Sequence, residues 1–195
     1  QVRSGEYLSI VGSNGAGKTT LVKHFNGLRR PTVGTVLVNG RDIAKRETAD
    51  IAQEVGFCFQ NPDHQIFAST VLEEAAFGLT CRGVSPDEAR PQALEMLKRF
   101  GIGDLTDANP HSLGKGQRQK IALASIVVLE PKILVIDEPT TGLDWAECQQ
   151  ILDIIDTIRD GGTTVVAVTH DMRLVRERAS RAVAMSRGEI IYDGG

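Results

Sequence analysis

The sequence contains no run of about 18 consecutive apolar residues, so it predicts no helix that spans a bilayer. We also expect no signal peptide, because a strand-like segment begins almost at once. Cysteine is scarce: Cys58, Cys81 and Cys148 are widely spaced and show no metal-ligand pairing, as expected of free thiols in a reducing cytoplasm. Basic residues do not outnumber acidic ones, at 22 against 25, which disfavours a nucleic-acid-binding protein.

With 195 residues, of which 41% are hydrophobic and 24% charged, the chain is long enough for a single soluble domain with an ample core. It begins without methionine and ends just after a strand-like run. We therefore expect it to be a fragment of a longer polypeptide, and we expect any role at a membrane to come through a partner.

Strands and helices alternate in the first and last thirds of the sequence. Short apolar runs predict buried strands at residues 7–11, 55–59, 133–136 and 165–168. A helix is predicted from Gly17 or Lys18 to Asn26, with Gly27 at its end, and helical spacing recurs between 151 and 158. Residues 35–38 before Asn39-Gly40 predict half of a hairpin with a type I′ turn.

The pattern between about 71 and 128 is helical instead. Ser85 to Glu88 predicts a capping box with Pro86 at the first helical position, and Pro91 predicts a kink or a restart of that helix. The sequence thus predicts an α/β fold in one domain, residues 1–195. Its core has a mainly parallel sheet and a small antiparallel β part, with a helical subdomain inserted at about 61–130.

The segment from Gly12 to Thr19 has the pattern G-x-x-x-x-G-K-[ST] of a phosphate-binding loop, or P-loop, at every fixed position. A strand before it and a helix after it are the context that this loop requires, unlike an ordinary glycine-rich turn. Its backbone N–H groups and the helix dipole favour phosphate, Lys18 suits the β- and γ-phosphates, and Thr19 suits Mg²⁺. We expect a nucleoside triphosphate to be bound by Gly12, Ser13, Asn14, Gly15, Ala16, Gly17, Lys18, Thr19 and Thr20.

Three further polar side chains follow apolar runs. Asp137 and Glu138 come after residues 133–136, and His170 comes after residues 165–168. Because α/β sheets bind ligands at the carboxyl ends of their strands, Asp137 is suited to hold Mg²⁺ and Glu138 to act as the general base for an attacking water. His170 is a structural histidine or a sensor of the γ-phosphate; its spacing favours neither.

Another motif, Ser112-Leu113-Gly114-Lys115-Gly116-Gln117, lies between the P-loop and the acidic pair. Here the chain resembles the ATP-binding-cassette (ABC) family, whose signature reads Leu-Ser-Gly-Gly-Gln. Gln60 resembles the family's Q-loop glutamine, and His170 its switch histidine. Asp137-Glu138 resembles the Walker B pair and residues 141–144 resemble the D-loop, so that the resemblance covers nearly the whole chain.

The resemblance implies an ATPase with the ABC fold, in which Glu138, His170 and Gln60 are catalytic and Thr19, Gln60 and Asp137 surround Mg²⁺. It also implies that two cassettes, identical or different, pair head to tail, with ATP between the P-loop of one and the signature of the other. The signature residues here are Leu113, Gly114, Lys115, Gly116 and Gln117, which open a predicted helix. The chain departs from the family at two of them: Gly114 loses the signature hydroxyl, and Lys115 adds a charge.

A narrower resemblance follows from the segment Phe59 to Phe67 and from the Gly-Lys-Gly-Gln form of the signature. Both are similar to energy-coupling-factor (ECF) cassettes, although a Q-loop segment common to many importers is the alternative. ECF membership implies uptake of a vitamin or of cobalt or nickel at the cytoplasmic face of the cell membrane. The implied partners are a transmembrane component and a substrate-capture subunit, with no nucleic acid. The family's adenine-stacking aromatic residue and its C-terminal β-region are absent from the sequence.

Two other functions remain open. A soluble ABC ATPase could act on DNA or on the ribosome; the DNA-repair type needs coiled-coil arms between P-loop and signature, and no heptad run is found there. The ribosomal type usually carries two cassettes and a basic linker. A nucleotide-binding module without catalysis is disfavoured by the presence of Lys18, Thr19, Asp137, Glu138 and His170.

Overall fold

Eight strands and seven α-helices are present in the computed structural model, which describes all 195 residues. The strands are β1 (Tyr7–Gly12), β2 (Leu37–Val38), β3 (Arg41–Asp42), β4 (Val55–Cys58), β5 (Ile133–Asp137), β6 (Thr164–Val168), β7 (Arg181–Ser186) and β8 (Glu189–Gly194). The helices are α1 (Lys18–Phe25), α2 (Thr48–Ala52), α3 (Val71–Cys81), α4 (Pro86–Arg99), α5 (Lys115–Val127), α6 (Trp145–Asp160) and α7 (Met172–Arg178). None of the helices is both long and apolar enough to cross a membrane.

The chain folds into two compact units. The first comprises Gln1–Phe57, Pro131–Glu138 and Arg159–Gly195, and the second comprises Cys58–Glu130 and Pro139–Ile158. Nearly all of the sheet belongs to the first unit, and α3, α4 and α5 belong to the second.

The sheet of the first unit has the strand order β4-β5-β6-β1-β7-β8. The β5–β6, β6–β1 and β1–β7 pairs are parallel, and β8 pairs antiparallel with β7. The central strands are apolar on both faces because both faces are buried, as in a parallel sheet covered by other elements. Ile10, Leu134, Ile136 and Val165 are at most 1% exposed. The predicted α/β fold with a mainly parallel sheet is therefore confirmed.

The predicted hairpin is also present, and it is short. Strands β2 and β3 pair antiparallel across Asn39 and Gly40. Both turn residues have positive φ, 49° and 75°, as a type I′ turn requires. Behind the turn, the Glu54 carboxylate accepts a hydrogen bond from the Asn39 side chain, which is the main reason why the pKa of Glu54 lies below its usual value.

The second unit is built on helix packing. Helix α3 contacts both α4 and α5, and the fully buried side chains at its centre include Leu97, Ile121 and Leu123. Helix α3 begins with a capping box: the Thr70 hydroxyl accepts from the Glu73 amide at 3.2 Å, and the Glu73 carboxylate accepts from the Thr70 amide at 3.2 Å.

In α4 the predicted capping box is wrong, and of the two alternatives for Pro91 the restart is excluded. The Ser85 hydroxyl does not cap the helix by accepting an amide; it donates to the Glu88 carboxylate at 2.8 Å instead. Nor does the helix restart at Pro91, because a single helix runs from Pro86 to Arg99. Proline removes one amide from the ladder there, and buried residues on both sides of it, such as Ala89 and Ala93, keep the helix packed in its unit.

Candidate nucleotide-binding site

The parallel register of three strands determines where the polar motifs of the first unit meet. Asp137, the last residue of β5, lies opposite Val168, the last residue of β6, and Val168 also lies opposite Ile10 of β1. The carboxyl ends of β5, β6 and β1 are therefore side by side. The P-loop leaves β1 at this edge, Glu138 follows β5, and His170 follows β6, which is the edge where parallel sheets bind ligands.

The P-loop adopts a conformation that only glycine tolerates at its two ends. Gly12 has φ of 152°, and a Cβ placed on it would collide with the backbone carbonyl of Met185 and lie 3.3 Å from the Ala16 side chain. Gly17 has φ of 99° and forms the N-cap of α1. Between them, Ser13, Asn14 and Gly15 are exposed, so their backbone is accessible to a ligand.

Lys18, the first residue of α1, is only 6% exposed. Its ammonium group folds back over the loop and donates hydrogen bonds to the carbonyls of Gly12, at 2.8 Å, and Ser13, at 3.1 Å. These hydrogen bonds already fix the position of the ammonium group beside the loop. A buried positive charge at this place favours the binding of an anionic ligand. Thr20 is exposed in the same turn of the helix.

Asp137 is 4% exposed, and its carboxyl group lies against the start of α1. Burial is the main reason why the pKa of Asp137 is raised above its usual value, and the neighbouring Glu138 carboxylate raises it further. A hydrogen bond from Thr19 and the positive charges of Lys23 and Lys18 act in the opposite direction. The contribution of Lys23 has no counterpart in the sequence motif, since it depends on how α1 lies beside β5.

Glu138 stands in a left-handed backbone conformation, with φ of 49°, which is uncommon for a residue with a side chain. Its amide donates to the Val168 carbonyl at 2.9 Å, so the turn after β5 is tied to β6. The side chain is 12% exposed, and one carboxylate oxygen lies 3.5 Å from Nδ1 of His170, whose own side chain is 62% exposed. The structure thus brings the predicted base and the predicted sensor together.

These groups fit a nucleoside triphosphate with Mg²⁺. The open loop and the Lys18 ammonium suit phosphate oxygens. No group of three His, Cys, Asp or Glu side chains that could hold a metal ion occurs in the structure. A cation at this edge would instead use the Thr19 hydroxyl, the Asp137 carboxylate and phosphate oxygens, and Mg²⁺ accepts such a mixed set of oxygen ligands.

The other predicted site residues belong to the second unit. Gln60 is exposed at the end of β4. Gly114 is the N-cap of α5, its φ is −63°, and its amide donates to the Gln117 side chain at 3.0 Å. A side chain at Gly114 would have room, because the nearest atom to a Cβ there is 3.6 Å away.

Lys115 and Gly116 pack the start of α5 against the start of α6. The Lys115 ammonium donates to the Thr141 carbonyl at 2.7 Å. Gly116 is buried against the Glu147 carboxyl group, which would have to move to accommodate a Cβ. Sequence reasoning identified Lys115 only as an added charge, because the position of Thr141 follows from the packing of α5 and α6.

Comparison with known proteins gives consistent matches. Residues 1–141 match the family model described as ABC transporter. The chain is 43% identical over 190 residues to a putative ABC transporter ATP-binding protein of Caldanaerobacter subterraneus subsp. tengcongensis, covering 97% of this chain and 33% of that protein. It is 40% identical over 196 residues to the energy-coupling factor transporter ATP-binding protein EcfA of Methanocaldococcus jannaschii, covering 100% of this chain and 70% of EcfA. The chain spans about a third of the length of the first curated relatives it matches.

Two solved structures superpose closely. One is cbiO1 from Clostridium perfringens, described as part of the ABC transporter complex cbiONQ, with a TM-score of 0.89, 33% identity, and coverage of 100% of this chain and 78% of that one. The other is the ATP-binding cassette MJ0796, dimeric and bound to ADP and Pi after hydrolysis, with a TM-score of 0.89, 29% identity, and coverage of 99% and 86%.

Lys18 provides a direct test of the loop. We expect Lys18→Met to weaken ATP binding by about ten- to a hundredfold, since a hydrogen bond to a charged group is worth about 1.5–3 kcal/mol. Calorimetry with ATP would measure the affinity, and melting temperatures would show whether the loop variant is folded. The matched control is Lys45→Met, which removes an exposed lysine of the same unit. Equal affinities for the two folded variants would contradict the assignment.

Proposed function

The chain belongs to the ABC transporter family of ATPase domains, and we propose that it binds ATP with Mg²⁺ and hydrolyses it to power solute transport across a membrane. The single observation that carries this proposal is the meeting of the P-loop, Asp137, Glu138 and His170 at one edge of the sheet. ATP-hydrolysing cassettes require these groups together, because they position the phosphates and polarise the water.

In the proposed reaction, the P-loop amides and Lys18 hold the phosphates of ATP. Thr19 and Asp137 would hold Mg²⁺, which would supply positive charge to neutralise the phosphates. Glu138 orients the water toward the γ-phosphorus and accepts its proton as the oxygen of the water bonds to phosphorus; the bond from phosphorus to the oxygen of ADP breaks, and ADP and phosphate leave. His170, 3.5 Å from the Glu138 carboxylate, orients that carboxylate and contacts the γ-phosphate from its exposed side. Gln60 has a proposed role as well: its resemblance to the family's Q-loop glutamine supports contacts with Mg²⁺ and with the attacking water.

A substitution of Glu138 distinguishes ATP binding from ATP hydrolysis. We expect Glu138→Gln to bind ATP as tightly as the original protein, because the amide keeps the shape of the side chain. Turnover should fall by about 10²–10⁴-fold, the usual contribution of a general base, and ATP should hold two cassettes together in a closed dimer. Phosphate release and gel filtration measure these outcomes. Glu177→Gln, in an exposed position of the same unit, is the control. Undiminished hydrolysis in Glu138→Gln would eliminate Glu138 as the base.

The proposal includes a second cassette, identical or different. The first turn of α5 offers free backbone amides and the positive end of a 13-residue helix, which suits the γ-phosphate of ATP held by the partner's P-loop. Leu113, Gly114, Lys115, Gly116 and Gln117 form this half of the composite site. Support comes from the dimeric MJ0796 cassette, whose fold this chain shares.

Gly114 allows the role of the missing hydroxyl to be measured. We expect Gly114→Ser to fold, because a Cβ has room there, and to strengthen ATP-driven dimerisation by about tenfold through a new hydrogen bond to a charged group. Gly114→Ala is the matched control, since it adds the Cβ without the hydroxyl. Analytical ultracentrifugation with ATP, in the Glu138→Gln background, gives the dimer affinity. If the serine and alanine variants dimerise equally, the hydroxyl does not matter.

A transmembrane component is the second proposed partner, and the second unit offers an exposed aromatic pair for it. Phe67 and Phe77 are 60% and 46% exposed, and their rings meet edge to face with centroids 4.5 Å apart. Exposed aromatic clusters act as anchors at protein interfaces. Phe67 closes the segment that resembles ECF cassettes, and the relatives EcfA and cbiO1 are named for transporters. We therefore propose an ECF-type importer of a vitamin or of cobalt or nickel, with the chain peripheral at the cytoplasmic face and a substrate-capture subunit that defines the cargo.

Purification of the native full-length protein tests this partnership. We expect it to be recovered with membrane proteins, among them a substrate-capture subunit, and we expect Phe67→Ser with Phe77→Ser to reduce that recovery severalfold because the anchor is lost. Leu28→Ser, which changes a side chain of the first unit that is 49% exposed, is the control. Recovery with ribosomes instead of membrane proteins would contradict the transport function.

A further inference from the structure

Arg118, in the first turn of α5, joins two segments that are distant in sequence. Its Nε lies 2.9 Å from a carboxylate oxygen of Asp63, in the 3₁₀ turn Pro62–His64 just after Gln60. Its Nη1 donates to the backbone carbonyl of Leu113, the first residue of the signature. One guanidinium therefore connects the segment after Gln60 to the beginning of the signature, and all of these residues belong to the second unit.

The Leu113–Gly114 peptide is held on both sides. The Arg118 guanidinium binds its carbonyl, and the Gln117 side chain accepts its N–H at 3.0 Å. Gly114 has no side chain to restrict this backbone, so the orientation of the peptide depends on these two contacts. The orientation matters because the same peptide precedes the amides with which α5 begins.

A second attachment lies farther along the same helix. The Gln65 side-chain amide donates to the Ala122 carbonyl at 2.7 Å and to the Ser125 hydroxyl at 3.3 Å, and its oxygen accepts from the Phe59 amide at 3.4 Å. Positions 118, 122 and 125 recur at i, i+4 and i+7 and so lie on one face of α5. The segment from Phe59 to Gln65 is thus bound to α5 at two positions along the helix.

The Asp63–Arg118 pair is less exposed to solvent than the other ion pair of this unit between helical residues, chiefly on the side of the arginine. The Arg118 side chain is 20% exposed and the Asp63 side chain 43%. By contrast, Glu95 and Lys98 of α4 are 3.9 Å apart with side chains that are 69% and 59% exposed, and such solvated pairs contribute little. The planar fork of arginine also serves the carboxylate and the carbonyl at once, which lysine cannot do.

We infer that Asp63 and Arg118 form a positioning pair, which sets the orientation of the Leu113–Gly114 peptide according to the position of the segment that follows Gln60. The inference rests on the proposed function, in which α5 begins at the phosphate of ATP held by a second cassette. A displacement of the Gln60 segment then changes the partner's ATP site, and ATP bound there holds the Gln60 segment in place. The proposed role of the pair is therefore positioning, not catalysis.

The experiment compares Asp63→Asn, Arg118→Lys and the double variant in the native full-length protein with its partners. We expect each single change to lower kcat for ATP hydrolysis by about tenfold, the equivalent of about 1.4 kcal/mol. The affinity of the P-loop for ATP, measured without Mg²⁺, should stay unchanged. Asp63→Glu keeps the carboxylate and should retain most of the activity. The double variant should be no worse than either single one, because both changes break one link.

Amide hydrogen exchange gives a readout that needs no turnover. In Asp63→Asn, we expect exchange of the Gly114 amide, which donates to the Gln117 side chain, to accelerate about tenfold, since one of the two contacts on the peptide is weakened. Glu95→Gln, which alters the solvated pair, is the control for both measurements.

The outcomes separate the two hypotheses. An original protein that does not hydrolyse ATP at all contradicts the proposed function and this inference together. An active protein in which Asp63→Asn matches Glu95→Gln in kcat and exchange overturns the inference alone. So does a double variant whose loss is the product of the single losses, or a loss that comes entirely from weaker ATP binding.

Discussion

The parallel register of β1, β5 and β6 is the constraint on which the candidate site depends. The last residues of β5 and β6 lie in register with Ile10 of β1, two residues before that strand ends, so segments that are far apart in sequence meet at one edge of the sheet. A shift of two residues in one strand would keep its side chains on the same faces but move Asp137 about 7 Å along the sheet. The apolar runs that bury these strands therefore also determine where the polar residues after them stand.

At that edge two carboxyl groups, those of Asp137 and Glu138, are largely buried. Burial and the Glu138 carboxylate both disfavour ionisation of Asp137, while Thr19, Lys23 and Lys18 favour it. The net result is a pKa of Asp137 above its usual value, and a bound cation would offset the desolvation of the carboxylate. The strained φ of Glu138 serves the same arrangement, because the turn that it makes ties the end of β5 to Val168 of β6 and directs its carboxylate toward His170.

Features encoded in adjacent residues were predictable from the sequence. Helix α1 starts at Lys18 and ends before Gly27, and the Asn39-Gly40 turn has the two positive φ angles that its type demands. The four buried strands were likewise located by their apolar runs. These elements depend on local backbone preference and on burial, both of which leave a pattern in a single stretch of sequence.

Features that depend on the partner of one side chain were not predictable. Ser85 has the sequence of a capping box but donates to Glu88, whereas Thr70 forms the capping box of α3 without having been recognised. A side chain that caps the helix and one that bonds elsewhere differ in free energy by about 1 kcal/mol. Differences in packing of this size therefore decide which contact forms. The contacts of Arg118 and Lys115 join distant positions of the second unit; Arg118 and Asp63 are 55 residues apart. No pattern of neighbouring residues predicts such contacts.

Contacts of individual side chains also explain how the signature accommodates Gly114 and Lys115, the two residues that differ from the family's pattern. Serine at position 114 would cap α5 and offer a hydroxyl, but the Gln117 side chain already accepts the Gly114 amide. Lysine at position 115 replaces a glycine, and its ammonium is engaged by the Thr141 carbonyl. Gly116, by contrast, is buried against the Glu147 carboxyl group, which a side chain at position 116 would have to displace. The first turn of α5 is therefore held by contacts within its own unit, which leaves its backbone amides as the part of the motif that a phosphate can still use.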